Sequence, residues 1–114
     1  MKTVYIAHPI AGDVGANVKR VLAICEKIHR SNEAIPVVPY LVCVQYLDDS
    51  AVADRQLGID ASLECFHRGY IDEVWLFGDR ISNGMKQEIA LARKLAIPVF
   101  GKTAETEKDL ELIS

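Results

Sequence analysis

The chain has no basic excess. Its 114 residues carry 13 Lys and Arg against 16 Asp and Glu, a net charge of -3. A nucleic-acid polymer needs a cationic face, so it is not an expected partner. No apolar run reaches the roughly 20 residues that span a bilayer, and no membrane partner is expected either. Cysteine is sparse: Cys25, Cys43 and Cys65 are odd in number, widely spaced and set among apolar neighbours, with no C-x-x-C pair. That pattern suggests neither a disulfide framework nor a zinc site, so no metal is expected. It predicts core thiols in a reducing cytoplasm. Repeats and low-complexity segments are missing. So are G-x-x-x-x-G-K-[ST] and G-x-G-x-x-G, which argues against a nucleoside-triphosphatase loop and a dinucleotide fingerprint.

What is present is an ordinary globular composition, half hydrophobic and a quarter charged, at a length suited to one domain with one core. The start, MKTVYIAHPIAGD, is too short in its apolar run for a secretion signal and reads as a first strand, Thr3 to Ala7. From Val14, the residues Val18, Val21, Leu22, Cys25 and Ile28 recur at helical spacing. IPVVPY reads as a second strand, and LVCVQYLDDS has no clear assignment. Ala51 to about Arg68 reads as a helix, DEVWLFG as a third strand, and Asn83 to Leu95 as another helix. IPVFG gives a fourth strand, and the acidic tail a short surface helix. Strands alternating with helices imply a parallel sheet covered on both faces. The expected fold is α/β, a flavodoxin-like or Rossmann-like three-layer sandwich with a small parallel sheet. Ligands in such sheets bind beyond the carboxyl ends of the strands, near the switch in strand order. HPIAGD and GDRISNG both leave strand ends and are expected to open into one cleft.

The stretch ISNGMKQEIALA, Ile81 to Ala92, contains an anomaly. On a helix, Glu88 has Gly84, Met85, Leu91 and Ala92 as its i±3 and i±4 neighbours, all apolar or small. Such a carboxylate could reach solvent or pair with a lysine. It could also stand at the wall of a cleft, as a nucleophile or as a stabiliser of a cationic transition state. Ser82, Asn83 and Gly84 read as a helix cap. Free N–H groups at a helix start also bind anions, and Arg80 and Lys86 could add charge. Tyr5 reads as a core aromatic and His8 as a loop histidine; His29 and His67 fall near helix ends. Departure of a group from a sugar carbon usually needs acid help. Asp60 and Glu64 are four residues apart, share a helix face and are the two candidates, unless that face is simply solvated.

VYIAHPIAGD, and then DEVWLFGDRISNGMKQEIALARKLAIPVF, resemble the nucleoside 2-deoxyribosyltransferase superfamily, notably its small bacterial and phage-type branch of unassigned function. They are also similar to the 2′-deoxynucleoside 5′-phosphate N-hydrolases. The sharpest element is S-x-G-x-x-x-E, met by Ser82, Gly84 and Glu88. The resemblance implies that Glu88 attacks the anomeric carbon and that Tyr5 orients it. It implies that His8, Pro9, Ile10 and Gly12 line a sugar and phosphate pocket, facing Asp79, Arg80, Ser82, Asn83 and Gly84. It further implies a nucleoside or nucleotide substrate, no organic cofactor or metal, and a homodimer or higher homo-oligomer. The expected interface is PYLVCVQYL, Pro39 to Leu47, whose clustered apolar residues cannot all face one core, or else the helix before the third strand. Two features depart from the family pattern: His8-Pro9 replaces a loop that is often glycine-rich, and the acidic helper has no clean match. Two alternatives follow: a nucleotide-binding module without turnover, and a flavin-binding flavodoxin-like protein. The second is disfavoured by loops lacking a Ser/Thr-rich phosphate cradle.

Overall fold

The computed structural model describes residues 1–48 and 50–113; Asp49 and Ser114, in two of the segments read above, lie outside the described residues. Strands β1 (Thr3–Ala7), β2 (Ile35–Val37), β3 (Glu73–Leu76) and β4 (Val99–Gly101) form one parallel sheet in the order β2-β1-β3-β4. Among the described residues five helices flank it: α1 (Val14–Arg30), α2 (Tyr40–Cys43), α3 (Val52–His67), α4 (Asn83–Lys94) and α5 (Ala104–Ile113). The α/β sandwich expected from the alternation is the one observed. The unassigned LVCVQYLDDS opens with the single helical turn α2, which takes Tyr40 from the expected second strand.

Strand alternation divides the core. Val4, Ile6 and Trp75 point to one face, where Ile24, Cys25 and Ile28 of α1 cover them. Tyr5, Ala7, Val74 and Leu76 point to the other, against Tyr40 of α2, Phe66 of α3 and Met85, Ile89 and Ala92 of α4. Leu110 and Ile113 of α5 pack on this second cluster. Val4 to Ala7 are fully buried, as a central strand covered on both faces must be.

The strand order reverses at β1, so the switch point lies between β1 and β3. Their register pairs Tyr5 with Val74 and Ala7 with Leu76, which brings the following loops side by side. Gly78, at φ +97°, makes the join. A Cβ there would lie 2.6 Å from Pro9 Cδ, so only glycine fits both the backbone angle and the contact. Thr103 Oγ1 donates to Gly78 O at 2.8 Å, and Asp109 accepts from Ile81 N at 3.1 Å. On the other loop, Asn17 Nδ2 donates to Ile10 O at 2.9 Å. Both loops are therefore held from outside the site. Among the described residues, no helix is long and apolar enough to cross a membrane.

Candidate functional site

Helix α4 begins where the sequence cap predicts. Ser82 is extended, and its Oγ accepts from Met85 N at 3.3 Å. The first N–H groups of any helix have no partner within the helix. With Met85 satisfied by Ser82, the N–H groups of Asn83 and Gly84 remain at the positive end of the helix dipole. Glu88 follows one turn further on. Its neighbours Met85, Ile89 and Ala92 are buried in the core, and Glu88 itself is half-buried at the edge of that stripe.

The buried Tyr5 hydroxyl, on the central strand, donates to Glu88 Oε2. Burial pushes the Glu88 carboxyl from its ordinary 4.5 up to about 7, and the Tyr5 bond partly offsets that rise. Burial, and then the charge of Glu88, raise Tyr5 well above its ordinary value, so it stays a neutral donor. Tyr5 is wedged between aromatic rings, 4.8 Å from Phe66 and 6.0 Å from Tyr40, centroid to centroid. Tyr40 in turn donates to Ile6 O at 2.5 Å. The ring whose hydroxyl meets Glu88 is therefore packed against two others.

Beyond this pair opens a cavity of about 700 Å³, within the usual range for small-molecule sites. One wall is the start of α4 with Arg80, Ser82, Asn83, Gly84 and Glu88. The opposite wall is α2 and α3, with Tyr40, Cys43, Val44 and Leu47, then Asp54, Arg55, Gly58, Ile59 and Ser62. His8, Ile10 and Ala11 close it from the first loop. Arg80 puts a cation on the first wall; on the second, the stretch from Tyr40 to Leu47 is largely apolar and α3 adds Asp54 and Arg55. The buried His8 ring donates from Nδ1 to Pro9 O at 2.6 Å, leaving Nε2 as an acceptor. Burial lowers the His8 pKa, opposed by the Pro9 bond, and keeps the ring neutral near pH 7.

Glu88, His8, Ile10, Arg80, Ser82, Asn83 and Gly84 all line this cavity, with Tyr5 directly behind Glu88. Pro9 is buried against Gly78, Gly12 sits exposed at the loop turn at φ +100°, and neither reaches the cavity wall. Asp79 is exposed, pairs with Arg80 at 2.9 Å and lines a second cavity on the α1 face. Asp60 and Glu64 require correction. They share a face of α3, but it is the outer face: Asp60 accepts from Gln56 Nε2 at 2.8 Å, and Glu64 lies 3.9 Å from Arg68. The inner face of α3 carries Asp54, Gly58 and Ser62, each four residues apart, and it is Asp54 that lines the cavity. Asp54 also accepts from Asp48 N at 2.8 Å. Phe66 continues the same four-residue spacing and is the one large buried side chain of α3, so the apolar anchor marks the inward face. Among the described residues no group of three or more His, Cys, Asp and Glu side chains could hold a metal ion.

A sequence profile described as a domain of unknown function, DUF7768, matches residues 2–101. The chain belongs to this family. The DUF7768 match runs from β1 through β4, so it contains the whole sheet, both loops and every residue of the cavity wall; α5 follows it. Comparison with curated proteins and with solved structures gives no match.

Proposed function

We propose that the protein cleaves or transfers the N-glycosidic bond of nucleosides or nucleoside monophosphates, with Glu88 as the nucleophile. The observation that carries this reading is the half-buried Glu88, held by the buried Tyr5 hydroxyl at the wall of a cavity large enough for a nucleotide. A carboxylate fixed by one oxygen can present the other to an electrophilic sugar carbon. The resemblance of Ser82-x-Gly84-x-x-x-Glu88 to the nucleoside 2-deoxyribosyltransferase superfamily points the same way. The apolar wall of α2 and α3 suits a base, and the N–H groups of Asn83 and Gly84 with Arg80 suit a phosphate or sugar oxygen. Asp54, on the inner face of α3, takes the place of Asp60 and Glu64 as the acid that helps the base leave.

In the covalent step, a Glu88 oxygen bonds to the anomeric carbon as the bond from that carbon to the base nitrogen breaks. The base leaves with the bonding pair and takes a proton from the acid. Water or a second base then attacks the same carbon, breaks its bond to the Glu88 oxygen and passes a proton to the deprotonated acid, which restores both carboxyl groups. The direct test is incubation with a panel of nucleosides and nucleoside monophosphates, reading free base by chromatography. Base release by wild type and its loss in a folded Glu88→Ala variant are the expected results. Release that persists in Glu88→Ala overturns the assignment.

A second reading is a nucleotide-binding module without turnover. It draws support from Asp54, whose carboxylate is already engaged by the Asp48 backbone. Calorimetric binding of a nucleotide with no base released from any substrate selects it. Under either reading we place the protein in the cytoplasm as a homodimer. Val42 and Tyr46, 64 % and 68 % exposed one turn apart beside the cavity wall, supply the contact.

A further inference from the structure

The cavity on the α1 face of the sheet has a volume of about 690 Å³, close to that of the Glu88 cavity. Its walls are apolar: Ala23, Ile24 and Ile28 of α1 stand opposite Trp75 and Phe77. Its rim is cationic. Arg20 and Lys27 of α1 and Lys102 after β4 line it and are exposed, and among the described residues none of the three pairs with a carboxylate. Arg20 donates instead to the neutral Asn17 Oδ1 at 2.9 Å, and Lys102 Nζ lies 4.1 Å from the Trp75 ring centroid. Of the acids in the lining, Asp79 is already paired with Arg80, which leaves Glu33 and Glu105. Free cations thus outnumber free acids here, in a chain whose net charge is -3.

His8 adds an acceptor. It belongs to the linings of both cavities, but it continues the alternation by which Val4 and Ile6 face α1. The residue is 8 % exposed, and its Nδ1 is satisfied by Pro9 O at 2.6 Å, so Nε2 carries the lone pair. Among the described residues Nε2 has no hydrogen-bond partner, yet no fully enclosed side-chain nitrogen or oxygen is left without one. Nε2 therefore opens on accessible space. A Cβ on Gly78 would lie 3.5 Å from it, and Gly78 lines the α1-face cavity and not the other. A nearly buried acceptor without a partner costs free energy that an incoming donor recovers.

We propose that the α1-face cavity is a second binding site, for a small aromatic anion that carries an O–H or N–H donor. The anionic group meets Arg20 and Lys102, the ring packs against Ile24 and Phe77, and the donor bonds His8 Nε2. A few polar groups on mostly apolar walls, in a cavity of this volume, are the usual make-up of a small-molecule site. The site lies across the sheet from Glu88 and does not depend on the reaction proposed there.

Trp75 is the single tryptophan of the chain and lines this cavity but not the other, so its fluorescence reports on this site. The probe is 4-hydroxyphenylacetate, which joins a carboxylate, a ring and a phenol O–H. Its analogue 4-methoxyphenylacetate lacks the donor, and 4-hydroxyphenylethanol lacks the charge. Titrated into the full chain, the probe changes Trp75 emission saturably, and each analogue binds at least about tenfold more weakly, the worth of one hydrogen bond to a charged or buried group. Arg20 and Ala23 are exposed on α1, so substitution there leaves the core intact. Arg20→Ala weakens the probe by about tenfold and leaves 4-hydroxyphenylethanol unaffected. Ala23→Phe fills the cavity and removes binding. His8→Phe keeps a ring and abolishes the preference for the hydroxyl over the methoxy compound. Emission that does not change up to about 10 mM probe overturns the proposal. So does equal affinity for the three compounds, the behaviour of an indifferent apolar groove. Binding that survives both Arg20→Ala and Ala23→Phe overturns it as well, because the probe then sits elsewhere.

Discussion

Replacing Glu88 by glutamine should stabilise the protein, and the gain should grow with pH. The unfolded chain ionises Glu88 near 4.5, whereas the folded site does so at about 7. The folded state therefore binds this proton more tightly than the unfolded state. The stability contributed by the neutral carboxyl is fully present below about 4.5, fades as pH rises and is lost above about 7. At 1.36 kcal/mol per pH unit, the whole span is worth about 3 kcal/mol. For a domain of this size, that is on the order of 10 °C in Tm. Glutamine has nearly the same shape, accepts the Tyr5 hydroxyl through its amide oxygen and carries no charge at any pH. Denaturant unfolding of wild type and Glu88→Gln at pH 5, 6, 7 and 8 reads the effect. The two should be nearly equally stable at pH 5, with Glu88→Gln ahead by up to about 3 kcal/mol at pH 8. Every other titration is common to both proteins and cancels in the difference. A stability difference that stays constant from pH 5 to 8 would refute the argument that burial holds the carboxyl neutral.

If Glu88 acts as a nucleophile, base release should rise with pH through about 7, as the carboxyl ionises. A rate flat between pH 5.5 and 8 would separate the chemistry from this group. Asp54→Asn should lower base release by about 10²- to 10⁴-fold if Asp54 supplies the proton, whereas Asp60→Asn and Glu64→Gln, on the outer face of α3, should leave it unchanged. Gly78→Ala should destabilise by about 2 to 4 kcal/mol in thermal unfolding, since it meets both the left-handed backbone and Pro9. A loss below about 0.5 kcal/mol would mean that the two loops part easily. Nucleoside monophosphates should bind more tightly than nucleosides in calorimetry, with an advantage that shrinks as salt rises; equal affinities would reduce the α4 start to an ordinary cap. Light scattering behind a sizing column should give a dimer mass that falls to monomer in Val42→Asp with Tyr46→Asp. A wild-type monomer would remove the interface.

Local pattern carried most of the fold. Each of the four expected strands is present, the second shortened to Ile35–Val37, because a run such as TVYIA can be satisfied only by burial on both faces. Helix starts were legible for a similar reason. Asp13 and Ser82 cap helices through bonds to residues three positions on, and such short-range chemistry is written in consecutive residues. Glu88 stood out by its place in a small-residue stripe, again a matter of helical spacing alone. The partners across the cavity were not legible in this way. Asp60 and Glu64 share a face by spacing, but spacing does not say which face of α3 turns inward. Phe66 decides that by packing on Tyr5, a residue 61 positions earlier in the chain. The sheet order then brings β1, α3 and α4 together, and only there do Phe66, Tyr5 and Glu88 meet. Periodicity within an element depends on its own backbone, so the sequence alone determined the four strands, the longer helices and which residues share a face, but not the turn α2 or which face of α3 is inward. The meeting of side chains from three elements depends on how those elements pack, and the tertiary structure alone decided it.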